Sequence, residues 1–509
     1  MMGQSWGTFS TSPGPPKETK KMYLTDIFPR AYPPNPPDFK LDEAVYQVDG
    51  PSIFDEKPAI DELNSLTVNI TLPCNEGNKS PLPVFVYIHG GSFLFGGATH
   101  PYFSGINFVS TSMEIGQPVI HVNFTYRTGL GGFLASKDIE QDLEKDGFAG
   151  AGNFGLTDQK LAFDWIQTYI NHFGGDRDNV TATGESAGSI SIGNHFAASD
   201  PPIYHRASMM SGMGPTIPTW SLEHHEKLYQ AVLRYLNIKP GEGALDKLRA
   251  RSQYDISLAT TQVNGVIAGT GNPCDDGWYH SKIPSMGSFE SPPPWIKSLM
   301  IGDCLHEGII FRWNIASDTF DTFFKSLADS VGENKAKSIL DLYNIGPDTD
   351  ANEARLLMEE LLGDVYFKIP AWLTLRASKL PQTFGYHFDQ LSEIDGPAKG
   401  TAYHCHGLLY LFMNNQKALK PDKLVLARTI AGAWINFTYG RYPWAAYGQD
   451  HMWMIFGPND TASVKKEEED EEVRRYRRFL AILDLDCWVP LAAAIDEIGS
   501  KRLRMGRNE

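Results

Sequence analysis

No run in this chain approaches the ~20 consecutive apolar residues a membrane helix needs, so the sequence predicts no span. Positive charge is in the minority: 45 Lys and Arg stand against 61 Asp and Glu, a net charge of −16. No basic stripe interrupts that balance, which argues against nucleic acid as a partner. Cysteine is sparse. The five, Cys74, Cys274, Cys304, Cys405 and Cys487, are odd in number and scattered without metal-ligand spacing. That argues against a structural metal and a disulfide framework, and predicts free thiols in a reducing compartment. Residues 1–16 are rich in Gly, Ser and Pro and lack the apolar run of a secretory leader. The expectation is a cytoplasmic protein, unless a leader has been removed.

What is present suits one large core. Hydrophobic residues make up 42% of 509 positions, and α/β enzymes of this length often run as one unit. Residues 1–60 carry clustered prolines and are expected to form an extended arm. Val84-Phe85-Val86-Tyr87-Ile88 is continuously apolar, the mark of a strand covered on both faces. In 157–173, Leu161, Trp165, Tyr169 and Phe173 recur every four residues beside Ala162, Ile166 and Ile170, which predicts a helix with one broad apolar face. Strands alternating with helices imply a large, mostly parallel sheet flanked by helices. Residues 215–400 read as helical insertions over the sheet's C-terminal edge. In the charged run 465–478, Asp470/Arg474 and Glu471/Arg475 stand at i,i+4 spacing, and the expectation is a solvated helix face.

The chain is organised around Gly184-Glu185-Ser186-Ala187-Gly188, which follows a β-branched run and precedes a helical segment. Strand, G-x-S-x-G, helix is the context of a nucleophile elbow, with Ser186 lifted above the sheet and the Ala187 N–H aimed at developing negative charge. Directly after the Val84–Ile88 run comes His89-Gly90-Gly91-Ser92-Phe93. A glycine-rich loop in that place can turn N–H groups inward and, with Ala187, form an oxyanion hole.

These stretches, with Asn123-Phe124-Thr125-Tyr126-Arg127, Gly152–Gln159 and Phe173-Gly174-Gly175-Asp176, make the chain resemble the type-B carboxylesterase/lipase family. The resemblance implies an α/β-hydrolase fold with the site at the bottom of a gorge. It also implies a serine esterase mechanism without cofactor or metal. Ser92 stands where the family usually has a third glycine. Ser65 stands about where many members carry a disulfide cysteine.

The resemblance maps the triad acid to Glu307, in Glu307-Gly308 after the predicted strand 298–302. Asp303, nearer the strand end, is the alternative. The base must follow the acid in this fold. Among His387, His404, His406 and His451, the family spacing to a phenylalanine, here Phe412, points to His404, with His406 its rival. Phe93, Met213, Trp220 and Phe311 are expected to touch substrate, and few cations stand near them in sequence. The reading is a serine carboxylic-ester hydrolase for a bulky apolar or aromatic small-molecule ester. An acyltransferase or lactone-forming enzyme on the same triad, and a non-catalytic scaffold relative, remain open.

Overall fold

Val84, Val86 and Ile88 face one side of their strand and Phe85 and Tyr87 the other, and all five are fully buried. Because side chains alternate along a strand, burial on both faces requires helices above and below. The computed structural model describes residues 66–73, 80–98, 100–263, 269–284, 292–312, 314–414, 419 and 421–500. The arm expected at 1–60, and Ser65, lie outside them.

Among the described residues the main sheet has nine strands. In chain order these are β1 (Val68–Thr71), β2 (Leu82–Ile88), β3 (Ile120–Phe124), β4 (Gly175–Glu185), β5 (Arg206–Met210), β6 (Ser298–Cys304), β7 (Thr383–Phe388), β8 (Met452–Phe456) and β9 (Ala462–Lys466). They lie side by side as β1-β3-β2-β4-β5-β6-β7-β8-β9. Only the two outermost pairings, β1 with β3 and β8 with β9, are antiparallel. The helices Phe154–Tyr169 and Ala187–Ala197 cover one face, where Phe163, Ile166, Ile190 and Ile192 meet the Val84 side of the core. His406–Phe412 and Pro421–Thr438 cover the other, with Leu409, Ile430 and Trp434 against Phe85 and Tyr87. Among the described residues no helix is long and apolar enough to cross a membrane.

Three local expectations are corrected. The stretch 215–400, read as helical insertions around the expected strand at 298–302 (β6), holds a second strand of the main sheet, β7. The helical parts form two separate excursions, one before β6 and one between β6 and β7. The helix Phe154–Tyr169 buries Phe163 and Ile166, while Leu161 and Tyr169 on the predicted face are exposed. Trp165 packs on Tyr169 and Phe173 at the margin of the core.

The charged run is the third. It is strand β9, the helix Glu467–Arg474, a left-handed break at Arg475 (φ 59°) and the helix Tyr476–Asp484. Asp470, Arg474 and Arg478 are buried. Arg474 donates to Asp303 at 2.7 Å and also to Asp389. Arg478 pairs with Glu360 and Asp364, each at 2.6 Å. The Asp470/Arg474 side packs onto acidic residues from other elements rather than onto water, while Arg475 of the other pair stays exposed as expected.

Candidate active site

β4 ends at Glu185, and the helix Ala187–Ala197 begins two residues later. Ser186 between them has φ 54° and ψ −123°, a conformation that costs a non-glycine residue ~1–3 kcal/mol. The surroundings enforce it. Ser186 N donates to Met210 O at 2.9 Å. A Cβ at Gly184 would lie 2.2 Å from Gly188 O, and one at Gly188 would lie 2.0 Å from Ile88 O. The strand and the helix therefore approach this closely only with both glycines in place. The helix N-terminus lends the Ser186 region its partial positive charge.

The loop after β2 lies against this turn: a Cβ at Gly90 would sit 3.1 Å from Ser186 Cβ. Leu94 N and Phe95 N both donate to Gly91 O, at 2.8 and 3.2 Å, closing a tight turn. Ser92 and Phe93 are both left-handed, at φ 55° and 58°. Among the described residues, the N–H groups of Gly91, Ser92 and Ala187 donate to no backbone carbonyl.

Glu307 follows β6 and is completely buried. Its Oε1 accepts from Cys304 N at 2.7 Å, and its Oε2 lies 2.5 Å from His404 Nδ1. Two hydrogen bonds hold the loops together: His306 N donates to Ala402 O at 2.9 Å, and Ala402 N donates to His306 Nδ1 at 3.0 Å. Phe367 packs its ring on His404, with centroids 4.5 Å apart.

The other ring nitrogen, His404 Nε2, lies 3.1 Å from Oε1 of Glu185, the residue before Ser186. Cys405 Sγ donates to the same oxygen at 2.8 Å. Burial pushes the Glu185 carboxyl up to about 7; His404 and Cys405 pull it back only in part. Glu185, His404 and Cys405 offer ligand atoms within 4.8 Å of one another, the nearest approach to a metal-holding group among the described residues. Those atoms already bond to each other.

Ser186 opens into a cavity whose atom-free space, counted out to solvent, is about 700 Å³. Leu94, Phe95, Ile217, Ile310, Phe311 and Phe367 give it apolar walls, and Ser92 lies at its edge. The strained serine opens into this cavity at the C-terminal ends of parallel strands, where α/β sheets place their sites, and the histidine–carboxylate pair is linked to it through Phe367 and through Glu185.

The carboxylesterase family model matches residues 40–482. The chain belongs to the carboxylesterase family. Para-nitrobenzyl esterase of Bacillus subtilis is 30% identical over 438 residues, covering 81% of this chain and 82% of that one. Lipase 3 of Yarrowia lipolytica is 28% identical over 423 residues, covering 82% of this chain and 78% of that one. A solved PNB esterase structure superimposes with a TM-score of 0.65 at 26% identity, over 82% of this chain and 85% of that one. The protein is a carboxylic ester hydrolase with the α/β-hydrolase fold.

In the esterase, Asp303, His387, His406 and His451 have partners of their own. Asp303 and His387 are register partners on β6 and β7. His387 Nδ1 lies 2.9 Å from Asp303 Oδ1, and its Nε2 is taken by Tyr476 OH at 2.8 Å. Trp453 covers the ring at 3.9 Å. This second histidine–carboxylate pair is sealed into the core. His406 stacks on Tyr403 at 4.5 Å, and burial lowers its pKa to about 3. His451 stacks on Tyr447 at 5.1 Å.

Of the four residues expected to touch substrate, only Phe311 lines the cavity. Phe93 is fully buried against Phe133, because the left-handed turn swings it inward and presents Leu94 and Phe95 instead. Met213 is fully buried in the core, its N–H held by Thr216 Oγ1 at 3.0 Å. Trp220 is half-buried and packs on His224. Sequence reasoning passed over Glu185, although it stands inside the elbow motif. It also passed over Phe367, Tyr366 and Asp496, which no motif marks.

Proposed function

We propose that the esterase works through an acyl-enzyme on bulky apolar or aromatic esters. Ser186 Oγ attacks the ester carbonyl and passes its proton to His404 Nε2. Glu307 accepts the Nδ1–H, fixes the tautomer and stabilises the imidazolium that forms. The N–H groups of Gly91, Ser92 and Ala187 bind the oxyanion, where loss of one donor costs roughly 3 kcal/mol in enzymes of this kind. His404 returns the proton to the leaving alcohol, and water releases the acid by the same steps. The observation that carries the reading is that Ser186, at φ 54°, opens into an apolar cavity whose wall residue Phe367 packs on the ring that Glu307 holds at 2.5 Å.

The apolar walls support the substrate class, since each Å² of apolar surface buried contributes ~25 cal/mol. A fluorophosphonate probe is expected to label the wild type and not Ser186→Ala. Labelling of the variant at Ser211 or Ser92 would sink the assignment. Hydrolysis of aryl esters of increasing acyl bulk is expected to rise in kcat/KM above the acetate, and an acetate optimum would defeat the class. The same assay with added alcohol reads water against acyl transfer.

A further inference from the structure

One wall of the cavity breaks the apolar pattern. Asp496, on the C-terminal helix Trp488–Ser500, lines the same space as Ser186 and is only 7% exposed. Tyr366 OH donates to it at 3.3 Å, and the Asn272 side chain, whose Nδ2 donates to Pro218 O at 2.9 Å, favours its ionised form. Tyr366 and Asn272 both line the cavity too. No Lys or Arg is among the described lining residues. A carboxyl buried beside Phe311 and Ile310 carries a desolvation cost that a leucine would not. It also has about four acceptor positions, of which Tyr366 OH fills one.

We propose that Asp496, with Tyr366 and Asn272, forms a polar subsite that binds a hydrogen-bond donor, a hydroxyl or a primary ammonium, on the substrate away from the ester group. The inference rests on the reading of Ser186 as the nucleophile of this cavity. The apolar walls hold the body of the ester, and the donor end meets the carboxyl. Burial pushes the Asp496 carboxyl up to about 7, against the opposing pull of Tyr366 and Asn272. Both protonation states are therefore populated near neutrality. An ammonium selects the ionised form, and a hydroxyl bonds to either. A site built to pair a substrate O–H or N–H discriminates strongly against the analogue without it, because its own buried group is left unpaired.

The test uses aryl esters of a straight-chain acid, of its ω-hydroxy analogue and of its ω-ammonium analogue, all of equal length. The same three ends are then carried on the alcohol side. The wild type is expected to hydrolyse at least one donor-ended ester at a kcat/KM no lower than its methyl-ended counterpart. Asp496→Leu is expected to lower that ratio by about tenfold or more, and Asp496→Asn by less for the hydroxyl than for the ammonium. The hydroxyl and ammonium arms tell the two donors apart.

The inference is overturned if the ratios are the same, within about twofold, in the wild type and both variants. If neither variant folds, the wild type still decides, since an apolar cavity without a polar anchor rejects the donor-ended esters by roughly tenfold or more. That rejection on both sides of the ester would overturn the subsite. Failure of the underlying reading looks different: no ester in the panel turns over and the fluorophosphonate probe leaves Ser186 unlabelled.

Discussion

Oε1 of Glu185 lies 3.1 Å from Nε2 of His404, while Glu307 holds Nδ1 of the same ring at 2.5 Å. Two lone pairs do not approach that closely without a proton between them. The ring therefore either shares the proton of a neutral Glu185 or carries its own charge between two carboxylates. With the Glu185 carboxyl pushed up by burial to about 7, both arrangements are populated near neutrality.

A prediction follows for the pH dependence of turnover. A neighbouring carboxylate favours the imidazolium and so raises the histidine's pKa. Glu185→Ala is expected to move the acid limb of the kcat/KM profile to lower pH. It should also lower kcat by roughly tenfold, less than the roughly 10²–10³ of an oxyanion donor. An acid limb that stays in place or moves upward defeats the assignment.

The two buried carboxylate–histidine pairs should separate cleanly by mutation. Glu307→Gln is expected to lower kcat by roughly 10²–10⁴, since it disturbs the tautomer and orientation of the base. Asp303 Oδ1 instead ties His387 and Arg474 together, at 2.9 and 2.7 Å. Asp303→Asn leaves Arg474 short of a partner and is expected to cost about 3–5 kcal/mol of stability, read by denaturant melts, while kcat of the folded fraction changes little. A dead, fully stable Asp303→Asn beside an active Glu307→Gln would exchange their roles.

Glu185 and Asp496 should each contribute stability that is lost as pH rises through the weakly acidic range. Burial holds the carboxyls of Glu185 and Asp496 at about 7 in the folded chain, against ordinary values of 4.5 and 3.8. Between those limits the folded state keeps protons that the unfolded state has released. Through these two groups, raising the pH favours unfolding by up to about 1.4 kcal/mol per pH unit and per group. The loss is complete above the folded value. Asp496→Asn removes one of the two groups, so its Tm relative to wild type is expected to be higher at about pH 8 than at about pH 5. A difference of the opposite sign rules out the raised carboxyl.

Thiol reduction should not matter to the fold. Cys274, Cys304, Cys405 and Cys487 are buried and unpaired, and Cys405 is engaged with Glu185. Millimolar reductant is expected to leave Tm unchanged by differential scanning fluorimetry. A fall of several degrees would reveal a bridge, worth typically ~2–5 kcal/mol.

The sequence by itself determined what short-range sterics determine. The apolar run 84–88 had to be a strand buried on both faces. The glycines at 184 and 188 had to permit a strand-to-helix turn around Ser186, since the clashes they avoid lie within that turn and the adjacent strand. The loop beginning at His89 had to lie at a strand's end. Tertiary structure alone decided which acid meets which histidine. Asp303 and Glu307 stand four positions apart, yet the first is consumed by sheet register with His387, and the second reaches His404 through loops tied at His306 and Ala402. Packing also decided that Phe93 turns inward, that Arg474 is buried among carboxylates, and that Asp496 from the last described helix lines the cavity of Ser186. Each of these depends on groups far apart in the chain, and burial between such groups is set by how the layers close rather than by any periodicity a single stretch displays.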